Sequence, residues 1–249
     1  MTTTLPTTRD EEWRYADIAA LSGLAPGTLD DWATIVVAPG ETHRQCLLLD
    51  GTTPQVQRLR VTVDAGARAE IFAVNAASDY ARLEVEVTLG ESAHFELGGV
   101  TIGGGEATRE IVTRVAHTAL AATSHQVVRS VHWGQATGNF LGRIEVARAG
   151  QKTDAAQDFK ALLLTRGATA NARPELEIFA DDVKCAHGAA IGQLDEAARF
   201  YMAARGIDPD TARRLLIRAF LADALAALDN EGERERLFGA ALAVLEQVE

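Results

Sequence analysis

Between Thr34 and about Ile191 one short apolar pattern recurs at almost constant spacing. Ile35, Val37 and Gly40 are followed 26 residues later by Val61, Val63 and Gly66, and 24 residues after that by Val85, Val87 and Gly90. In the second and third copies the match extends, with Ala69 and Ile71 against Ala93 and Phe95, whereas the first copy has His43 and Gln45 there. A fourth copy begins at Ile111 and Thr113 with Ala116 in the glycine position, and Ile144, Val146 and Gly150 nearly repeat the rhythm. Apolar-x-apolar is the alternation of a strand with one buried face, and the glycine permits a turn at positive φ. A strand-turn-strand unit of roughly 25 residues cannot bury its apolar face alone, so successive units must stack. The pattern therefore predicts a mainly β fold built as a β-solenoid. A β-sandwich is the competing reading, but its hairpins would show Asn-Gly or Asp-Gly at short spacing, and only Asp50-Gly51 qualifies.

The flanks read differently. Residues 1–33 hold a short helical segment, Glu11 to Ile18, that stops before Ser22-Gly23 and Pro26-Gly27. Residues 34–193 form the β core, and residues 194–249 a helical domain. There, Asp195 to Arg205 reads as a helix ended by Gly206, and Asp208-Pro209 supplies an N-cap and first-turn proline for a helix running to about Leu228. A third helix carries Leu237, Ala241, Leu245 and Val248 on one stripe. From Leu215 to Leu228 only Arg218 and Asp223 are charged, so the middle helix packs between its neighbours and the β body, or against a second protein.

Charge and length exclude several functions. The 249 residues carry a net charge of −11 and three lysines, a poor basis for binding nucleic acid or an anionic membrane. The longest stretch free of charged residues, Val115 to Val128, is too short to span a bilayer as a helix. Met1 to Asp10 shows neither a basic nor an apolar leader segment, so a cytoplasmic location is expected, with Cys46 and Cys185 as free thiols. Gly103-Gly104-Gly105 lacks the Lys-Ser/Thr and helix start of a phosphate loop and reads as a turn. Ser124-His125 and Ser92-Ala93-His94 place hydroxyl and imidazole without a nucleophile elbow, and His43 with Cys46 lacks further ligands.

The densest segment runs from Glu175 to Gly188. On a strand, Cys185 and His187 lie two residues apart on one face, so a thiolate and an imidazole can converge on a soft metal ion or a cluster iron. Two ligands make an incomplete site: either a second chain completes it, or the pair is structural. This segment, with Ile191-Gly192-Gln193-Leu194-Asp195, Phe200 to Ile207, Ala212 to Phe220 and a shorter echo at Glu12-Trp13-Arg14-Tyr15, resembles the C-terminal part of the SufD family of iron-sulfur cluster assembly proteins. The resemblance implies a right-handed parallel β-helix core with a short N-terminal helix and a C-terminal helical cap. It also implies a non-enzymatic scaffold that pairs with a SufB-type paralogue, or with a second copy of itself, and binds a SufC-type ATPase. Carried over residue by residue, His187 and its neighbour Cys185 would hold transient iron or a nascent cluster in the assembled complex. Tyr201, Arg205, Leu216 and Phe220 would meet a partner. The rival reading is a polysaccharide lyase or hydrolase using Asp181, Asp182 and His187, since parallel β-helices host such enzymes. Few aromatic residues and no secretion signal count against it. A third reading is a purely structural interaction module.

Overall fold

The structure, a computed structural model, describes residues 5–77 and 79–246. From Ala33 to Gly192 the chain is strand after strand. One sheet takes β1 (Ala33–Val37), β3 (Gln55–Val63), β5 (Ala81–Leu89), β7 (Thr108–His117), β9 (Thr137–Val146) and β11 (Thr169–Ile178), in that order. The other takes β2 (Thr42–Leu49), β4 (Arg68–Asn75), β6 (His94–Gly103), β8 (Thr123–His132), β10 (Asp154–Leu163) and β12 (Lys184–Gly192). Every pairing within the two sheets is parallel, for example β1 with β3 and β10 with β12. Consecutive strands thus alternate between sheets and each coil stacks on the last, which is a parallel β-solenoid, not a sandwich of hairpins.

The inward face forms the main core. Val61, Val63, Ile71, Leu83, Val87, Leu89, Phe95, Leu97, Ile111 and Val115 are buried in one cluster. At the C-terminal coils Phe140 stacks on Phe159 with centroids 5.3 Å apart. The stacking register differs from the sequence reading. Val61 and Val63 pair with Val87 and Leu89, not with Val85 and Val87, so the step is again 26 residues. Likewise Ala69 and Ile71 pair with Phe95 and Leu97, and Val85 lies against Thr113 while Ile111 lies against Leu83. A slip of two residues leaves every side chain on its own face, so the apolar pattern fits either register. The corners decide. Gly40 (φ 75°), Gly66 (φ 65°) and Ser92 (φ 55°) hold the left-handed position of successive coils, and Gly90 does not. A serine bears the turn that a search for glycine misses.

The N-terminal segment crosses the outer face of the β1-containing sheet. It forms a 3-10 turn at Glu11–Trp13, α1 (Ile18–Leu21) and a second 3-10 turn at Thr28–Asp30. Trp13 is buried with Leu21, Leu29 and Tyr80, and the Arg82 guanidinium lies 3.9 Å from the centre of its ring.

After β12 come α2 (Glu196–Ala203), α3 (Pro209–Ala222), a 3-10 turn at Asp223–Leu225 and α4 (Glu231–Leu245). Asp195, Asp208 and Asn230 cap these helices through their side chains. The middle helix gives way to 3-10 at Asp223, earlier than the expected Leu228. There the Asp223 carboxylate accepts from Arg129 Nε at 2.9 Å, tying that turn to β8. Ile217, Leu221, Leu225, Leu237 and Ala241 then bury Phe72, Val74, Val100 and Val131 on the outer face of the β2-containing sheet. Val248, placed on the last helix's stripe, lies outside the described residues.

Candidate functional site

The register places Cys185 and His187 together. On β12, Cys185 pairs with Ala155 and His187 with Gln157 of β10, and Gln157 pairs with Gln126 of β8. Ala155, Gln157 and Gln126 are buried and face inward, so Cys185 and His187 continue the interior columns onto the last coil. Nothing stacks on that coil among the described residues: β11 and β12 end their sheets. The helices pack on the side of the solenoid, so its interior opens here.

Burial follows from that position. Cys185 is half-buried beside Ala155, Ala180, Leu176 and Val183, whereas His187 is exposed. Burial, helped by the charge of Asp154, pushes the Cys185 thiol up from its ordinary value, so at neutral pH the thiol keeps its proton until a cation displaces it. Beneath His187, Gln157 Nε2 donates to the Gly142 carbonyl at 3.2 Å, while Gln157 Oε1 and both polar atoms of Gln126 are buried without partners. A polar column therefore leads from the imidazole into the coil stack. No group of three or more His, Cys, Asp or Glu side chains among the described residues is placed to hold a metal ion. The pair offers a soft and a borderline donor, which suits iron but leaves its coordination incomplete.

Asp181 and Asp182 lie exposed in the corner between β11 and β12, where the Asp182 amide donates to Gln151 Oε1 at 3.0 Å. Tyr201 is exposed on α2 with the Arg205 guanidinium 4.4 Å from its ring centre. Phe220, by contrast, is partly buried in the seam between helices and sheet with Arg129 over its ring, and Leu216 is half-buried. The sequence reading missed Phe200, 78% exposed beside Tyr201, and Phe179, 60% exposed at the open end with Ile178 and Ile191. No sequence signal marked Phe200: that α2 buries none of its residues is decided by the packing of the fold.

The chain matches the family described as SUF system FeS cluster assembly, SufBD core domain, over residues 42–220. It belongs to the SufBD core family. The match takes in β2 to β12 and runs into α3, so it includes Cys185, His187 and the open coil. Among relatives of the family, the chloroplastic protein ABCI7 of Arabidopsis thaliana is 45% identical over 112 residues, which is 45% of this chain and 23% of that protein. The iron-sulfur cluster assembly protein SufD of Escherichia coli is 35% identical over 125 residues (50% of this chain, 30% of the relative). SufD of Bacillus subtilis is 30% identical over 148 residues (59% and 34%). The matched stretches thus span between about a quarter and a third of these relatives' lengths. No helix among the described residues is long and apolar enough to cross a membrane.

Proposed function

We propose that this SufBD-family chain is a non-enzymatic scaffold in iron-sulfur cluster assembly, lending Cys185 and His187 to iron or a nascent cluster at a junction with a second subunit. The observation that carries the reading is the position of both residues in the inward columns of the terminal, uncovered coil. Iron here is cargo. A thiol and an imidazole two residues apart can hold one face of it, and a second chain has to bring the remaining ligands. The edges of β11 and β12 present unpaired backbone groups, and exposed Ile178, Phe179 and Ile191 surround them, the character of an edge that takes a partner strand. A SufB-type paralogue is the proposed occupant, with the exposed side of α2 around Phe200 and Tyr201 left for a SufC-type ATPase. Cluster loading at this pair requires loss of the thiol proton and a neutral imidazole, so metal uptake releases protons and weakens in acid.

The test is anaerobic reconstitution of the complex co-purified with its paralogue and ATPase, read by visible absorption at equal subunit stoichiometry. His187→Ala should assemble normally and lose most of the cluster signal, and Cys185→Ser should be milder. Wild-type cluster yield from His187→Ala would leave the histidine a structural role only.

A further inference from the structure

Arg109 is a buried charge that no partner among the described residues explains. It projects inward from β7, in the column shared with Ala81 and Gly138, and is 2% exposed. It makes no ion pair among the described residues, and its Nε and Nη1 donors are buried without acceptors. Burial alone lowers its pKa, to about 10, which still leaves it protonated at neutral pH. The neighbouring His132 supplies no negative charge: burial and then the charge of Arg109 hold it neutral, at about 3. An isolated buried cation is destabilising unless something compensates it.

The guanidinium lies over Gly103, with Nη1 2.8 Å from where a Cβ would stand, and the Trp133 indole covers Gly104 in the same way, Cδ1 at 2.5 Å. A side chain at either position would fill the space these donors occupy. Arg109, Trp133, Gly104 and Gly105 all line one open cavity of about 630 Å³, which Val244 of α4 and Asp50 also line. Gly105 has a left-handed φ of 69°, which turns the loop around the cavity. We propose that this cavity is a binding site for a small phosphate-class oxyanion, with Arg109 as its charge partner. The guanidinium suits an oxyanion because it is planar, charged and weakly hydrated, and an anion seated in the cavity supplies the counter-charge that this buried cation lacks. The site stands apart from the open coil and does not depend on the iron-sulfur reading.

The experiment is calorimetric titration of the purified full chain with inorganic phosphate at constant ionic strength, with acetate as a second probe. Saturable phosphate binding should weaken roughly tenfold or more in Arg109→Met, whose stem fills the same space without the charge. Asp50→Asn covers the case in which Arg109→Met does not fold. Asp50 is the carboxylate lining the cavity, so its neutralisation should tighten phosphate binding. Unchanged phosphate affinity in Arg109→Met, or no phosphate binding by the wild-type chain, overturns the proposal. Equal binding of acetate overturns the phosphate assignment. Failure of Asp50→Asn to tighten binding, with a loss of thermal stability, would make Asp50 the counter-ion of Arg109 and also overturn it.

Discussion

Gly98→Ala should loosen the helical cap from the solenoid. Gly98 lies on the outward face of β6, between Phe72 and Val127 of the neighbouring strands, directly beneath the 3-10 turn at Asp223–Leu225. A Cβ there would stand 2.6 Å from Phe72 Cδ1 and closer still to the Ala224 carbonyl oxygen. Ordinary contact begins at 3.4 Å, so the Phe72 ring must retreat by about 0.8 Å and the backbone carbonyl by more. The ring is 0% exposed and cannot rotate away freely, and Ala224 is flanked by buried Leu225 and Leu221. Overpacking of this kind costs about 1–3 kcal/mol, and because one clashing group is backbone we expect the upper end, about 3 kcal/mol. For a chain of this size that corresponds to a fall of roughly 6–12 °C in Tm. Gly99→Ala, which meets the Ile111 Cδ1 methyl at 2.8 Å, should cost less because a methyl can turn aside, and Gly192→Ala, with nothing within 4 Å, should be neutral. Urea denaturation of the three variants decides. A Gly98→Ala protein within about 0.5 kcal/mol of wild type would refute the claim that backbone proximity fixes the cap on the sheet.

Gly66→Val should cost about 1–3 kcal/mol through its left-handed φ alone, since a Cβ there meets nothing, and Gly66→Asn should recover part of it. At Gly90 the cause is the backbone of Val63 and Ala65 at 3.1 and 3.2 Å, so Gly90→Asn should recover nothing; equal rescue at both sites in urea melts would contradict the register. Glu96 is pushed up by burial but held at about 2 by hydrogen bonds from His125 and His94, and the hydrogen bond to Glu96 raises His125 against its own burial. The stability that wild type holds over Glu96→Gln, about 1–2 kcal/mol after solvent screening, should therefore be greatest near pH 5–6. It should fall as pH drops through 4.5 toward 2, where the carboxylate takes a proton, and again as pH rises above 6.5 through the raised value of His125. Arg68, Asp158 and Asp223 also face this group, so a pH series on both proteins is the check. Arg82→Met removes the arginine paired with buried Glu110 (3.3 Å), one of the two paired with Glu84 (3.2 Å; Arg58 is the other) and the donor to the Glu12 carbonyl. It should cost about 3–5 kcal/mol and expose the segment before β1 to protease; resistance equal to wild type would argue against that anchor.

The sequence by itself determined the solenoid, the change to helix after Gly192 and the common face of Cys185 and His187. Each of these is written in local periodicity: alternation in Val61 to Val63, Asp208-Pro209 at a helix start, and a single residue between a thiol and an imidazole. The register of the coils was not legible, because a two-residue slip preserves every face. What separates the alternatives is the corner conformation of Ser92, and Lys152 (φ 60°) and Ala121 (φ 57°) show later coils making the same turn without glycine. Tertiary structure alone decided that Phe220 belongs to a packed seam while Phe200 stands free, since a helix's apolar residues do not say which of them the sheet will cover. It also decided that Arg109 is buried without a partner, and that the coil bearing His187 is left open. Those outcomes depend on which elements stack on which across 26 to 32 residues of chain, and no short window of sequence contains that distance.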